Sequence, residues 1–379
     1  MKHRFVDILV CTSCRGNLTL KADKAKRVAL PGEFPKGFGC QLYCSRFRHH
    51  KPLEQREDCR ACYGIDITDG SLRCDACNRE YLIVEGIPHM VEDAGKAESL
   101  LAQALSATDK TYSLLWADVE AAQKVDSYHY NKMQETIPEK IVRGTMGLEI
   151  GCGSGIDTVI MAKASPSTEI VSLDLSEGIF TAARISEGLP NVHLVRASTS
   201  YLPFRDGTFD FCYSYGVIHH TPDPEESLHE MQRVSRESGK FFLYLYEDHS
   251  ENAFKRYAVW ATSILRTMTT RMNRRQLYLC ATVSSPFIYL FFSVPSKILR
   301  SFKKTRCFAE SMPFNFGTGP FSLAGDLFDR FSAPIELRFN VGSLRKILSR
   351  AGLNDVHFSR IKSTAGHVIW GSKGSVPLL

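Results

Sequence analysis

Eight cysteines near the N-terminus fall into four close pairs: Cys11-x2-Cys14, Cys40-x3-Cys44, Cys59-x2-Cys62 and Cys74-x2-Cys77. A C-x-x-C turn points two thiolates at one centre, and two such turns complete a tetrahedral zinc site with no open position. Sites of that kind hold a fold together and leave catalysis to other groups. A second chemistry begins at Glu149-x-Gly151-x-Gly153-x-Gly155, after which the apolar run Ile170-Val171-Ser172-Leu173 stops at Asp174. Glycines let the backbone approach a ligand closely, and an acid at a strand tip is placed to accept hydrogen bonds from a ribose diol. Glu149 beside the turn makes a poor phosphate neighbourhood and suits a cationic, adenosine-like ligand instead. A third group is the pair His219-His220, whose side chains titrate near neutrality and can take a proton from a hydroxyl or amine.

Positioning these groups requires a doubly wound α/β unit. Strand, glycine turn, helix and second strand follow one another through Asp174, with further strands expected over residues 191–196, 211–215 and 239–246. That order puts His219 and His220 on a turn just past the fourth strand, at the carboxyl edge where open α/β sheets bind ligands. Asp223-Pro224-Glu225-Glu226 reads as an N-cap, a first-turn proline and a capping-box acid, opening a helix that buries Leu228, Met231 and Val234. A last amphipathic helix over 343–351 and strands over 355–362 and 366–372 complete the unit.

The segment E-x-G-x-G-x-G, Leu202-Pro203-Phe204, Gly207-Thr208-Phe209-Asp210 and the order of strands through residue 246 resemble the class I S-adenosylmethionine-dependent methyltransferases. The resemblance implies a seven-stranded, Rossmann-like core and S-adenosylmethionine as cofactor. It also implies a cofactor pocket of Glu149, Gly151, Cys152, Gly153, Gly155, Asp174, Leu175, Ser198, Thr199 and Tyr215, with His219 and His220 at the chemistry. Ser198 stands where the family commonly has an acid for the adenine amino group, and a hydroxyl accepts that hydrogen bond more weakly. The text around the outer cysteines, Ile8 to Leu18 and Gly70 to Pro88, resembles the zinc ribbon of the small activator subunit of tRNA methyltransferases. By that resemblance Cys11, Cys14, Cys74 and Cys77 share one zinc, and Cys40, Cys44, Cys59 and Cys62 bind a second within an inserted loop. Spacing alone also permits Cys59-x2-Cys62-x11-Cys74-x2-Cys77 as a compact ribbon. Arg15, Arg46, Arg48, Arg60, Arg73 and Arg79 are placed to offset thiolate charge.

Of 379 residues, 44% are hydrophobic and 23% charged, ordinary usage for a chain of two or three globular domains. The first ten residues hold Asp7 and no apolar stretch of signal-peptide length. A reducing, cytoplasmic compartment is expected, where paired cysteines are metal ligands sooner than disulfides. The net charge of +6 is uneven: residues 250–310 carry eleven Lys/Arg against Glu251 and Glu310. Within that stretch, residues 276–296 are free of charge and rich in Leu, Ile and Phe, with cations on both sides. A lone membrane span there would place the last core strands across the bilayer from the first. A helical lid over a lipophilic acceptor, in contact with the membrane surface or buried as a hairpin, is expected instead.

The domain expectation is a zinc ribbon over 1–92, a helical linker or cofactor cap over 93–140 with Leu100, Leu101, Leu105, Leu114 and Leu115 on its apolar face, core over 141–249, lid over 250–335 and core again over 336–379. Tyr128 and Tyr130 are expected to close the site or fill the interface. The functional expectation is methyl transfer to oxygen or nitrogen of a small, apolar acceptor. The alternatives are an RNA methyltransferase, using the ribbon and the basic segment to hold RNA, and a non-catalytic scaffold whose ribbon recruits a protein partner.

Overall fold

The computed structural model describes residues 1–30, 34, 39–46, 56–91, 113, 128–250, 253–312, 314–315, 317–361 and 366–374. The apolar face expected at Leu100, Leu101, Leu105, Leu114 and Leu115, and Arg48, lie outside these residues.

The leader comprises α1 (Phe5–Ile8), β1 (Leu18–Arg27), α2 (Arg56–Tyr63), β2 (Ile65–Cys74), β3 (Glu80–Val84) and β4 (Ile87–Pro88). Its strands form an antiparallel sheet in the order β1-β2-β3-β4. Next come α3 (Tyr128–Thr136), β5 (Met146–Ile150), α4 (Ile156–Ala164), β6 (Glu169–Asp174), α5 (Gly178–Ile185), β7 (Val192–Arg196), β8 (Phe209–Tyr215), α6 (Pro224–Val234) and β9 (Ser235–Tyr246). The insertion holds α7 (Ala253–Thr269), α8 (Arg274–Ile288), a π-helical turn Tyr289–Ser293, α9 (Val294–Arg300), α10 (Arg306–Ser311) and α11 (Ala324–Ser332). The chain then closes with α12 (Val341–Arg350), β10 (Leu353–Arg360) and β11 (Gly366–Lys373).

The second sheet has seven strands in the order β10-β11-β9-β8-β5-β6-β7, the expected Rossmann-like core. Strands β5 to β9 run parallel, and β11 lies antiparallel to both β9 and β10. Strands β5, β6 and β8 are buried along nearly their whole length, as central strands of a parallel sheet covered on both faces are. The reversal of strand order between β5 and β8 opens a crevice at their carboxyl ends.

The leader is not a free-standing unit. Phe5, Leu9, Leu18, Ile67 and Tyr81 belong to the same hydrophobic cluster as Phe204, Phe209 and Leu243 of the core. Leu9 bridges Phe204, and His89 bridges Arg196, whose carbonyl accepts Met90 N–H at 2.8 Å. The chain after β4 thus lies along β7, the margin of the large sheet. Arg4 makes a buried, bidentate ion pair with Glu169 of β6, with Nε 3.0 Å from both oxygens and Nη2 2.8 Å from Oε2. Tyr63 O–H also donates to Glu169, and His193 stands 3.3 Å away. Burial pushes Glu169 up, but Arg4 and His193 together hold its carboxyl down at about 2.

The insertion packs through Leu277 and Ala281 of α8 against Leu323, Leu327 and Phe328 at α11. It is tied to the core by Arg266, which meets Glu336 at 2.6 Å, and by Leu337 N–H, which donates to the His219 carbonyl at 2.8 Å.

Candidate functional site

The crevice is a cavity of about 670 Å³, within the range that takes a drug-sized or cofactor-sized ligand. Ten of the expected site residues line it: Glu149, Gly151, Cys152, Gly153, Asp174, Leu175, Ser198, Thr199, Tyr215 and His220. Gly155 and His219 do not.

The glycine turn has two tasks. Gly151, Gly153 and Gly155 all adopt left-handed φ, at 79°, 53° and 82°, which favours glycine at each. A Cβ on Gly151 would lie 2.2 Å from Val217 Cγ2, and one on Gly155 would lie 2.5 Å from Ala182 Cβ on α5. Close approach to a ligand, expected of all three, therefore gives way at Gly155 to packing of the turn against a neighbouring helix. Gly151 answers both to Val217 and to the cavity.

Asp174 organises the turn. Its Oδ2 accepts Gly153 N–H at 2.8 Å, and Oδ1 accepts Ser176 N–H at 2.8 Å and Ser176 O–H at 2.6 Å. Burial raises its pKa against these hydrogen bonds. Glu149 is fully buried and accepts from Ser172 O–H at 2.7 Å and from Thr158 O–H. Burial, with Asp157 nearby, pushes its pKa up to about 8. A carboxyl so placed ionises when a cation enters beside it, matching the expected preference for a positively charged ligand. Thr199 O–H and Ser227 O–H lie 2.9 Å apart, and Ser200 N–H donates to Ser198 Oγ at 3.3 Å.

The two histidines separate. His220 lines the cavity, and its Nδ1–H donates to the Ile335 carbonyl at 2.6 Å. That bond fixes the tautomer, leaving Nε2 as the acceptor nitrogen. Burial lowers its pKa to about 4, so the ring is neutral at pH 7. His219 is fully buried, stacks on Tyr246 at 3.9 Å, and neither ring nitrogen has a hydrogen-bond partner among the described residues. The expectation that both histidines reach the chemistry is corrected here: His219 is packed into the turn that carries His220. Asp223 caps α6 by accepting Glu226 N–H at 3.1 Å, so the turn is held between β8 and a capped helix as expected.

The side chain that closes the cavity from α3 is His129 and not Tyr130; the side chain of Tyr128 lies outside what the structure describes. Tyr130 is buried in the core with Met133 and Ile137, while His129 stacks on Tyr215 at 4.3 Å and lines the cavity. Asp157 fixes this arrangement, accepting Tyr130 N–H at 3.1 Å and Tyr213 O–H at 2.8 Å. Ser176 and Tyr201, which the sequence does not single out, and Glu226, expected only as a capping acid, also line the cavity. The i, i+3, i+7 spacing of Tyr130, Met133 and Ile137 was the available signal, since it assigns the core face of α3 and leaves position 129 on another.

In the leader, Cys11, Cys14, Cys74 and Cys77 bring their sulfurs within 4.8 Å of one another. The Cys11–Cys77 and Cys14–Cys74 separations are 3.6 and 3.4 Å, close to the roughly 3.8 Å edge of a tetrahedron with 2.3 Å Zn–S bonds. The residues fit the metal. The two knuckles are alike: Arg15 N–H donates to Cys11 O and Asn78 N–H to Cys74 O, with Arg15 and Asn78 both left-handed. Cys59 and Cys62 do not join this set, so the alternative ribbon of Cys59, Cys62, Cys74 and Cys77 is not formed. Arg15, expected to offset thiolate charge, instead pairs with Glu230 of α6 at 2.8 Å.

Residues 148–243 match the methyltransferase domain family, and residues 2–86 match the family of Trm112p-like proteins. Over 102 residues the chain is 36% identical to an uncharacterized 37.1 kDa protein in transposon TN4556 of Streptomyces fradiae, covering 26% of this chain and 30% of that one. It is 26% identical over 159 residues to a phthiotriol/phenolphthiotriol dimycocerosates methyltransferase of Mycobacterium tuberculosis, covering 42% and 57%. It is 32% identical over 99 residues to a demethylmenaquinone methyltransferase of Staphylococcus aureus, covering 26% and 41%. The chain thus spans less than two thirds of the length of these relatives. Among solved structures, human N-acetylserotonin methyltransferase in complex with SAM aligns at 12% identity and TM-score 0.43, covering 72% of this chain and 59% of that one. A complex of the Haloferax volcanii Trm112 methyltransferase activator aligns at 12% identity and TM-score 0.40, covering 70% and 98%. The chain carries a class I methyltransferase domain joined to a Trm112p-like leader.

Proposed function

We propose that the chain transfers a methyl group from S-adenosylmethionine to an oxygen or nitrogen of a small, lipophilic acceptor. The observation that carries this reading is the convergence of Glu149, Asp174 and the glycine turn on one cavity that His129, Tyr215 and His220 also line. When bound, the cofactor supplies an electrophilic methyl on a sulfonium centre. Asp174, already oriented by Ser176 and Gly153, would accept from the ribose hydroxyls. Glu149 would supply negative charge beside the cationic end, and Ser198 and Thr199 would offer hydroxyls to the base. Neutral His220 would accept a hydrogen bond from the acceptor's O–H or N–H at Nε2, orient that group, and take its proton; the methyl would pass to the acceptor as its bond to sulfur breaks, leaving S-adenosylhomocysteine. His219, stacked on Tyr246, positions that turn.

The lipophilic class of acceptor is supported by the aromatic wall of the cavity and by the relatives named for lipid and quinone methylation. Incubating purified protein with methyl-labelled S-adenosylmethionine and the separated lipid, RNA and protein fractions of a cell extract tests it. Label in the lipid fraction is expected. Label confined to RNA would favour the reading suggested by the leader's resemblance to a tRNA methyltransferase activator, and no label at all would favour a scaffold.

A second structural zinc at Cys40, Cys44, Cys59 and Cys62 belongs to the same proposal, although these four sulfurs do not gather into one tight ligand set as those of Cys11, Cys14, Cys74 and Cys77 do. Cys44 and Cys62 are buried, and Arg46 Nη1–H donates to Cys62 Sγ at 3.6 Å. The loop carrying Cys40 and Cys44 is wrapped on Asp7, which accepts the N–H groups of Gln41, Leu42 and Tyr43.

A further inference from the structure

Sixteen of the twenty-one large hydrophobic side chains exposed among the described residues lie between Tyr257 and Phe321, in the insertion. They are ordered. On α7, Tyr257, Trp260, Ile264 and Met268 follow the i, i+3, i+7, i+11 rhythm of one helical stripe. On α8 and the π-helical turn, Leu279, Val283, Phe287 and Phe291 recur every four residues, with Phe287 61% and Phe291 66% exposed. The opposite face of α8, Leu277, Ala281 and Ser285, is the face already packed in the chain. Cations ring these stripes. Arg271 stands before α8, Arg275 in its first turn, and Lys303 and Lys304 after α9; all four are exposed, and none makes an ion pair among the described residues.

From this pattern we propose that the insertion docks the protein onto an anionic lipid bilayer, lying in the interface with its apolar stripes among the acyl chains and its cations among the headgroups. Aromatic and aliphatic side chains on one face, unpaired Arg and Lys at the flanks and few acids describe an interfacial helix. Two stripes ringed by unpaired cations complement a surface that is apolar within and negative at its boundary. The stretch Arg274–Arg300 is long and apolar enough to cross a membrane, but it is held otherwise. Ser285 donates to Pro320 O at 2.8 Å and Ser296 to Ala309 O at 2.9 Å. Beyond α11, Phe339 N–H returns to Tyr246 O at 2.9 Å and β11 rejoins the sheet beside β9. Both ends of the helix therefore remain on the side of the core. The lid's root, Ile335 to Leu337, is bonded to the turn that carries His219 and His220, so docking sets the cavity beside the lipid phase. Delivery of an acceptor by that route rests on the proposed function; docking itself does not.

Sedimentation of the full-length protein with sucrose-loaded vesicles tests this without any turnover. Vesicles with one third phosphatidylglycerol should pull the protein down, and pure phosphatidylcholine vesicles should do so at least tenfold more weakly. Each cation near the surface contributes about fivefold, so Arg271→Glu with Arg275→Glu should reduce binding at least twentyfold. The pair Phe287→Ser and Phe291→Ser should abolish sedimentation at high salt, while unchanged thermal unfolding shows the fold intact. Equal binding to both vesicle types, indifference to both variant pairs, extraction only by detergent, or a stable dimer that leaves vesicles untouched would each overturn the proposal. Failed docking with intact methylation of a detergent-solubilised acceptor would leave the proposed function standing.

Discussion

Arg4, just ahead of α1, grips Glu169 at the start of the strand whose far end carries Asp174. The pair is buried on both sides, so each charge depends on the other for solvation. Arg4→Ala leaves an uncompensated carboxylate in the core and should destabilise the protein by about 3–5 kcal/mol, read from chemical denaturation. Arg4→Met with Glu169→Met should recover much of that loss. The folded-state pKa of Glu169, about 2, lies below that of an unfolded glutamate. Its contribution is therefore complete above the unfolded value and lost as pH falls through about 2. Wild type should show that loss on acid titration, and the double variant should not.

Cofactor binding should depend on pH through Glu149. With its pKa near 8 in the free protein, the carboxyl must release a proton to face a cation. Affinity measured by calorimetry should rise as pH increases toward 8, by up to about tenfold per unit, with proton release visible as a buffer-dependent enthalpy. Glu149→Gln should bind more weakly and lose the slope. A slope retained in that variant would place the titration elsewhere.

Turnover should report the low pKa of His220. The ring must be neutral to accept a proton, so at saturating cofactor kcat should climb as pH rises through about 4 and be level from there toward neutrality. His220→Ala should lower kcat on the order of 10²-fold or more with cofactor affinity little changed. His219→Ala should instead act through stability and the geometry of the turn, lowering the unfolding midpoint together with activity.

Gly151→Ala should be destabilising by about 1–3 kcal/mol, because its Cβ would overlap Val217 and its φ is left-handed. Adding Val217→Ala removes the overlap but not the backbone strain. The double variant should therefore recover part of the loss in thermal unfolding and no more.

Elemental analysis of protein prepared without chelator should find two zinc ions per chain. Cys59→Ser with Cys62→Ser should leave one, and Cys74→Ser with Cys77→Ser should leave the leader unfolded. A wild-type ratio of one would remove the second site and keep the first.

Much of this fold was written plainly in the chain. The strand, glycine turn and acid from Leu148 to Asp174 are local and periodic, and their places differ little from expectation. The C-terminal helix was expected at 343–351 and begins two residues earlier because Asn340 caps it. The zinc partition could not follow from spacing, since sulfur proximity depends on how β2 pairs with β1 and not on chain distance. His129 escaped notice because a single aromatic ring on a short helix says nothing about the strand it will meet. The separation of His219 from His220 was equally hidden: neighbours on a tight turn diverge according to what packs behind them, here Tyr246 and the return from the insertion. The docking of leader to core rests on pairs such as Arg4 with Glu169, 165 positions apart, which no local pattern foretells.

The strip of chain that runs from β4 along β7 gives metal supply a wider reach than the leader itself. In the intact protein that strip bridges β7 at Arg196, on the side where no other strand pairs with β7 among the described residues, and bare margins recruit like strands from other molecules. Loss of zinc would unfasten the strip. A cell starved of the metal would then meet this protein as a clumping hazard.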